Sequence, residues 1–371
     1  MRVLLTGGGT AGHINPALAI AETVRKNDPT AEIAFVGIKT GKEAELIPKA
    51  GYPLHFVDSM GIRRSLSLVN IKALWLAVSS PYSKKTTRIL DDFKPDIVIG
   101  TGGYACWPIM AAAARRGIPT AVHESNSLPG LAIRRLQKRV DRIWINFEQT
   151  KELLSAKDKI VRVGNPLQNG FGSIDRATAR KKLGIGDDRF VILSYGGSLG
   201  AEDLNSAVLQ VMRDFSSQQD NVMHIHATGK RDFERCQALF AEYKLQSNDQ
   251  CVLLDYIFDM PIRMAAADLI VARAGAMTLS ELALMKKACV LVPSPYVADN
   301  HQYRNAKTLA DAEAAMIVEE KTLADGALCS CIRNLFQNAE QRQGMAEKIV
   351  SFADANSNKR VWEEICFLTQ K

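Results

Sequence analysis

The chain has 371 residues, 47% hydrophobic and 23% charged, which is the make-up of a soluble globular protein long enough for two domains. Its seven cysteines, at 106, 236, 251, 289, 329, 331 and 366, form no Cys-x-x-Cys pair; this argues against a zinc site or disulfide framework and for reduced thiols. The net charge of +7 is uneven, with 24 Lys and Arg against 14 Asp and Glu in residues 1–163 and 23 against 26 in the rest, so the first half is expected to meet an anionic surface. No apolar run is long enough to span a bilayer, and the opening residues read as a strand entering glycines rather than as a signal peptide.

A strand is expected over 2–6, followed by Thr6-Gly7-Gly8-Gly9-Thr10-Ala11-Gly12-His13 and then a helix through 16–21. A loop without side chains lets a bulky anion or sugar approach the backbone, and the helix N-terminus behind it favours negative charge. His13 stands where such a loop aims an imidazole into a crevice, as a general base or as a group that caps the loop or binds diphosphate. Strands are expected at 32–36 and 54–57. In 62–88, Leu68, Ile71, Trp75 and Val78 recur at helical spacing with Leu74 alongside, amid Arg63, Arg64, Lys72, Lys84, Lys85 and Arg88. That pattern suits an interfacial helix on anionic lipid, extended by Trp107 and the cluster Arg134, Arg135, Lys138 and Arg139; the alternative is an amphipathic helix packed on its own sheet.

A strand at 96–100 leads into a second glycine loop, Gly100-Thr101-Gly102-Gly103-Tyr104, and one at 119–122 leads into His123-Glu124-Ser125-Asn126. Strands at 142–146 and 160–163 precede a linker marked by Gly164-Asn165-Pro166 and Asn169-Gly170-Phe171-Gly172. Asp175 to Gly184 reads as a helix with an acidic start and a basic, glycine-terminated end.

A strand at 190–195 opens the third glycine loop, Gly196-Gly197-Ser198-Leu199-Gly200-Ala201, where Ser198 is placed to donate to a phosphate. Strands follow at 222–227, 251–254 (leading to Ile257-Phe258), 268–272, 288–293 and 315–318. After 268–272, the small residues of Ala272 to Thr278 start a helix on which a diphosphate can sit. Glu281, about two turns on, is either a ribose-binding carboxylate or a solvated helix residue. The loop from Pro293 to Gln302 is polar and enters a helix.

These continuous apolar runs predict α/β architecture: two doubly wound, Rossmann-like domains with parallel sheets facing across a cleft, and ligands at the carboxyl ends of the strands. No Asp-x-Asp triplet occurs, so backbone donors and helix dipoles are expected to meet a leaving diphosphate without a metal. A dinucleotide oxidoreductase is disfavoured, because no ribose acid follows the second strand.

The segments GGGTAGHINPALA, IGTGGYACWP, HESNSLPG, VGNPL, YGGSLGA, ARAGAMTLSELA and DNHQYRNA occur in that order nearly end to end, and with them the chain resembles the MurG family of peptidoglycan glycosyltransferases. The resemblance implies a GT-B fold and an inverting, metal-independent enzyme, peripheral on the cytoplasmic side of the cell membrane. It implies transfer of N-acetylglucosamine from UDP-GlcNAc to the 4-hydroxyl of the MurNAc of lipid I, undecaprenyl-diphospho-MurNAc-pentapeptide, giving lipid II. Residues 1–163 would form the acceptor and membrane domain and 164–350 the UDP-GlcNAc domain, with 351–371 a C-terminal helix packing back on the first.

His13 and Glu124 are then rival catalytic bases. Thr10, Gly12, Gly103, Tyr104 and Asn126 fall on the acceptor side, although packing is an even alternative for Tyr104. The donor set comprises Thr10, Gly12, Asn126, Gln168, Ser198, Ile257, Phe258, Ala276, Met277, Thr278, Glu281, His301 and Gln302. Implied partners are UDP-GlcNAc, lipid I, an anionic membrane surface and other cell-wall or division proteins, with no nucleic acid and no cofactor. Gln168 replaces an Arg common in relatives; Leu199 and Ala274 replace polar residues, which removes possible donors to UDP. The alternatives are a related UDP-sugar transferase with another acceptor, a UDP-GlcNAc epimerase, or a UDP-GlcNAc-binding regulator without turnover.

Overall fold

The computed structural model describes residues 1–60, 79–197, 200–247, 249–297 and 300–370. The chain divides into two compact units, residues 1–169 with 354–371, and residues 170–353. The first holds a sheet of seven parallel strands, β1 (Arg2–Thr6), β2 (Glu32–Gly37), β3 (Leu54–Phe56), β4 (Ile97–Gly100), β5 (Thr120–Glu124), β6 (Arg142–Ile145) and β7 (Ile160–Arg162), in the order 3-2-1-4-5-6-7. Its helices are α1 (Ala11–Asn27), α2 (Glu43–Lys49), α3 (Lys84–Phe93), α4 (Cys106–Arg115) and α5 (Leu131–Leu136).

The second unit repeats the plan with six parallel strands, β8 (Phe190–Tyr195), β9 (Val222–Ala227), β10 (Cys251–Leu254), β11 (Leu269–Ala272), β12 (Cys289–Leu291) and β13 (Met316–Ile317), in the order 10-9-8-11-12-13. Around it lie α6 (Arg176–Leu183), α7 (Glu202–Asp214), α8 (Phe233–Glu242), α9 (Met260–Ala266), α10 (Ala276–Leu284), α11 (His301–Asp311), α12 (Ala327–Gln337) and α13 (Ala339–Lys348); α14 (Ser357–Thr369) returns to the first unit. Each of the thirteen expected apolar runs contains a strand.

Both faces of each sheet are covered, which is why the strands are apolar without alternation. Val3 and Leu5 enter one core with Ile14 and Ile20 of α1, while Leu4 enters the opposite core with Ile109 and Met110 of α4. Val361 and Ile365 of α14 complete the first of these cores, a burial that contributes roughly 1.5–3 kcal/mol per side chain. The indole N–H of Trp144 donates to Glu364 at 3.2 Å.

Three boundaries differ from expectation. The helix after the first loop begins at Ala11, not near Pro16: Thr10 is extended at φ −137°, ψ 156°, and Pro16 lies inside the helix. Only the Gly12 carbonyl, four residues before Pro16, loses a helical donor, so Gly12 and His13 belong to the first helical turn rather than to the loop. The units divide after Asn169 rather than after residue 163, and after Ala353 rather than 350, because the linker is tied down along its length. Gly164 O is held by His123 Nε2 at 2.8 Å, Leu167 exchanges two hydrogen bonds with Asn358, and Asn169 N donates to Glu22 at 2.7 Å.

Local chemistry sets α6 as its sequence indicates. Asp175 Oδ1 accepts from Thr178 N at 2.8 Å, and Gly184 ends the helix at φ 67°. The second sheet also encloses a polar chain. Ser194 Oγ lies 2.9 Å from both His224 Nε2 and His226 Nδ1, Ser216 Oγ lies 2.9 Å from His224 Nδ1, and Asn205 Oδ1 lies 3.2 Å from His226 Nε2. Burial pushes His224 down to about 3 and His226 to about 4, so both stay neutral in the native state.

An unfolded imidazole takes up a proton below its ordinary value of 6.5, whereas these two do so only near 3 and 4. The second unit should therefore lose stability as pH falls from 6.5 towards 4, by about 1.4 kcal/mol per pH unit for each imidazole. Hydrogen exchange of β8 and β9 amides across that range measures it; protection independent of pH after correction for intrinsic exchange would refute the assignment.

Candidate functional site

Strand order reverses between β1 and β4 in the first unit and between β8 and β11 in the second, the position at which open α/β sheets bind ligands. Each unit therefore has its own candidate half-site.

In the first, Thr6 pairs with Gly100, which sets the first and second glycine loops side by side. Thr101 N donates to Thr6 O at 2.8 Å and Thr101 Oγ1 to His13 O at 2.6 Å. Packing is so close that a Cβ on Gly103 (φ 78°) would stand 2.2 Å from Gly8 O, and one on Gly102 2.8 Å from His13 Cδ2. His13 Nδ1 lies 3.1 Å from Gly8 O and 3.3 Å from Thr10 Oγ1. A carbonyl oxygen can only accept, so Nδ1 is assigned the hydrogen and Nε2 is the basic nitrogen. The Tyr104 ring lies over Gly9, whose Cβ would meet it at 3.1 Å.

The loop amides are less available than the glycine pattern suggests. Gly8 N donates to Gly102 O at 3.4 Å and Gly9 N to Glu43 Oε2 at 3.0 Å. An anion would instead meet the exposed start of α1 at Thr10 and Gly12, where the first turn carries no acidic residue.

Glu124 is buried, and its oxygens hold its own turn: Oε1 accepts from Asn126 N at 2.9 Å and Asn126 Nδ2 at 3.2 Å, and Oε2 from Gly130 N at 2.7 Å. Burial raises its carboxyl above 4.5, opposed by these bonds and by Arg134. The Asn126 side chain is thus turned onto Glu124. Gln168 Nε2 points to Glu22 at 3.4 Å. Trp107 is half-buried against the core, with the Arg139 guanidinium 5.0 Å from its ring centroid. Leu68, Ile71, Leu74, Trp75 and Val78 lie outside the described residues, as do Ser198 and Leu199.

In the second unit, Gly275 is extended ahead of α10, whose first turn again lacks acidic residues. Ala276 and Met277 are buried, Thr278 is half-exposed, and Glu281 is partly covered on the same helix. Burial pushes the Glu281 carboxyl up to about 8. Tyr195, at the end of β8, has a buried hydroxyl without a hydrogen-bond partner among the described residues; burial and the Glu281 charge raise its pKa. Asn305 Nδ2 donates to Ala274 O at 3.3 Å, tying α11 to the start of α10. His301 lies on the first turn of α11, and Gln302 Oε1 accepts from Ser294 N at 2.9 Å, holding the polar loop. Ile257 is in the core, whereas Phe258 is 76% exposed and meets Tyr256 edge-on at 4.8 Å.

Arg273, in the signature before α10, is committed elsewhere: it pairs with Glu320 and donates to Val292 O at 3.1 Å. Among the described residues no group of three His, Cys, Asp or Glu side chains is placed to hold a metal ion. Glu43, Tyr195 and Asn305 were not legible as site residues. Tyr195 and Asn305 lie inside the family segments YGGSLGA and DNHQYRNA, whereas Glu43 lies outside every such segment and its place depends on contacts with distant residues.

Models of the glycosyltransferase family 28 N-terminal and C-terminal domains match residues 3–145 and 191–361. The UDP-N-acetylglucosamine--N-acetylmuramyl-(pentapeptide) pyrophosphoryl-undecaprenol N-acetylglucosamine transferase of Acetivibrio thermocellus is 40% identical over 368 residues, 98% of this chain and 97% of that protein. The Thermoanaerobacter sp. protein of the same name is 36% identical over the full length of both. The crystal structure of Acinetobacter baumannii MurG superposes with a TM-score of 0.73 at 29% identity, covering 98% and 99% of the two chains. A UDP-GlcNAc 2-epimerase from Neisseria meningitidis bound to UDP-GlcNAc reaches 0.64 at 15% identity, with 98% and 99% covered, a likeness of fold.

The close approach of the two glycine loops is testable by stability. Gly103→Ala meets both a positive φ and a backbone oxygen, and should lower unfolding free energy by about 2–3 kcal/mol. Gly117→Ala has a similar φ of 69° but open space around it, and should cost about 1 kcal/mol. Equal effects in denaturant titrations would remove the steric argument.

Proposed function

The chain belongs to glycosyltransferase family 28, and from that premise we propose how its half-sites divide the work of one reaction. The protein is a MurG-type N-acetylglucosaminyltransferase of peptidoglycan synthesis, which moves GlcNAc from UDP-GlcNAc to lipid I to form lipid II. The first unit takes the acceptor. The exposed start of α1 meets its diphosphate, and His13 Nε2 removes the proton of the MurNAc 4-hydroxyl as its oxygen attacks C1 of GlcNAc. The C1–O bond to diphosphate breaks on the opposite face, UDP leaves with the bonding electrons, and the configuration inverts.

The second unit takes the donor. The N–H groups at the start of α10 meet the UDP diphosphate, Glu281 accepts from the ribose hydroxyls, and His301 and Gln302 face the transferred sugar. The observation that carries the base assignment is the bond between His13 Nδ1 and Gly8 O, which makes Nε2 the basic nitrogen. Glu124, with both oxygens accepting main-chain hydrogens, shapes the turn to Gly130 and the acceptor side around it. The surplus of Lys and Arg in residues 1–163 supports peripheral attachment to the anionic cytoplasmic membrane surface, where a lipid-linked acceptor resides.

Incubating the protein with radiolabelled UDP-GlcNAc and a short-chain lipid I analogue should give labelled disaccharide-lipid. Label remaining in UDP-GlcNAc would sink the transferase reading, and epimerised sugar nucleotide formed without acceptor would favour the epimerase. His13→Ala should lower kcat by about 10²–10⁴-fold with the KM for UDP-GlcNAc nearly unchanged; a retained kcat would remove His13 as base.

Only ionised Glu281 accepts from both ribose hydroxyls, and in the free protein it ionises near 8. UDP affinity should thus rise with pH, by up to about tenfold per unit below 8, and level off above it. Calorimetric titrations with UDP test this; Glu281→Gln should bind more weakly and lose the dependence, and a wild-type affinity flat from pH 6 to about 8 would contradict the role.

A further inference from the structure

Beneath the first glycine loop lies a carboxylate with no part in the scheme above. Glu43, the first residue of α2, is 1% exposed. Three glycines make way for it: a Cβ on Gly8, Gly37 or Gly41 would stand 2.2–2.4 Å from its atoms. Its two oxygens divide their bonds, Oε1 accepting from Ile38 N at 3.1 Å and Oε2 from Gly9 N at 3.0 Å.

The Gly9 N–H and the Gly8 carbonyl are opposite ends of one peptide group, and that carbonyl takes the hydrogen of His13 Nδ1 at 3.1 Å. Carboxylate, peptide and imidazole therefore form one continuous chain of two hydrogen bonds. Donation to an anion polarises the amide and strengthens its carbonyl as an acceptor. A carboxylate bonded directly to a catalytic histidine holds one tautomer and one ring orientation; here the same influence is transmitted through the main chain. The Thr10 hydroxyl, 3.3 Å from Nδ1, can donate or accept and so selects neither tautomer. Tyr104, stacked on Gly9, touches the loop from the other side.

We propose that Glu43 is a positioning residue for the transfer: through the Gly8–Gly9 peptide it holds His13 as the Nδ1–H tautomer with Nε2 as the basic nitrogen. The proposal rests on His13 being the base, yet its tautomer can be read without turnover. Full-length protein labelled with ¹⁵N-histidine, with the His13 signal identified by its loss in His13→Gln, should show the Nδ1–H form by long-range ¹H–¹⁵N NMR at a pH of about 8.5, where an ordinary imidazole is neutral.

Glu43→Gln, of the same size but uncharged, should shift His13 towards a mixture of tautomers. It should also lower kcat by about 10–100-fold while the KM for UDP-GlcNAc and the far-UV circular dichroism stay as in wild type. Glu43→Asp keeps the charge but draws the oxygens back from Gly9, and should show the same change if the glutamine variant does not fold. An Nε2–H tautomer in wild type, or an unchanged tautomer in either folded variant, would overturn the proposal. Full activity in His13→Ala would instead remove His13 as base, leaving the tautomer data to decide what Glu43 does.

Discussion

The parallel pairing of β1 with β4 is the constraint on which the first half-site depends. Leu5 lies opposite Ile99 and Thr6 opposite Gly100, so both strands end level and their glycine loops emerge together. Side chains on Gly7 or Gly103 would collide with Thr101 or with Gly8 O, and the loops would part. Pairing of Ala272 with Tyr195 sets the corresponding junction in the second unit, bringing the start of α10 beside the end of β8.

The first half-site is built largely from main-chain polar groups assigned to one another. Gly8 and Gly9 N–H are spent on Gly102 O and Glu43, Gly8 O on His13, and His13 O on Thr101. A buried peptide group must find a partner, and here the partners are Gly102 O and the side chains of Glu43, His13 and Thr101. The glycines act less as an open cradle than as a close-packed wall against which the imidazole is held.

The second unit treats buried charge and polarity differently. Its paired histidines, Ser194, Ser216 and Asn205 satisfy one another inside the sheet, and a satisfied network of that kind favours a single arrangement of β8 and β9. Glu281 and Tyr195 are the contrast: partly or fully buried polar groups that burial drives towards their neutral forms. Groups prepared in this way gain most when a ligand supplies the missing hydrogen bonds.

All thirteen strands, the glycine loops at their exits, the Asp175 cap and the helix after Gly275 were legible in the sequence, because continuous apolar runs and cap residues act over a few neighbouring positions. The family motifs identified the reaction for the same reason: each is a local cluster of loop residues. The start of α1 was misplaced because Pro16 reads as a first-turn residue, although one missing N–H near a helix start is tolerated. The tertiary structure alone decided that Glu43 lies under Gly8 and Gly9, that Gln168 turns to Glu22, that both Glu124 oxygens are engaged and that Ile257 is core. These depend on groups far apart in the chain meeting at one place, where burial and hydrogen-bond satisfaction, rather than local propensity, choose the partner.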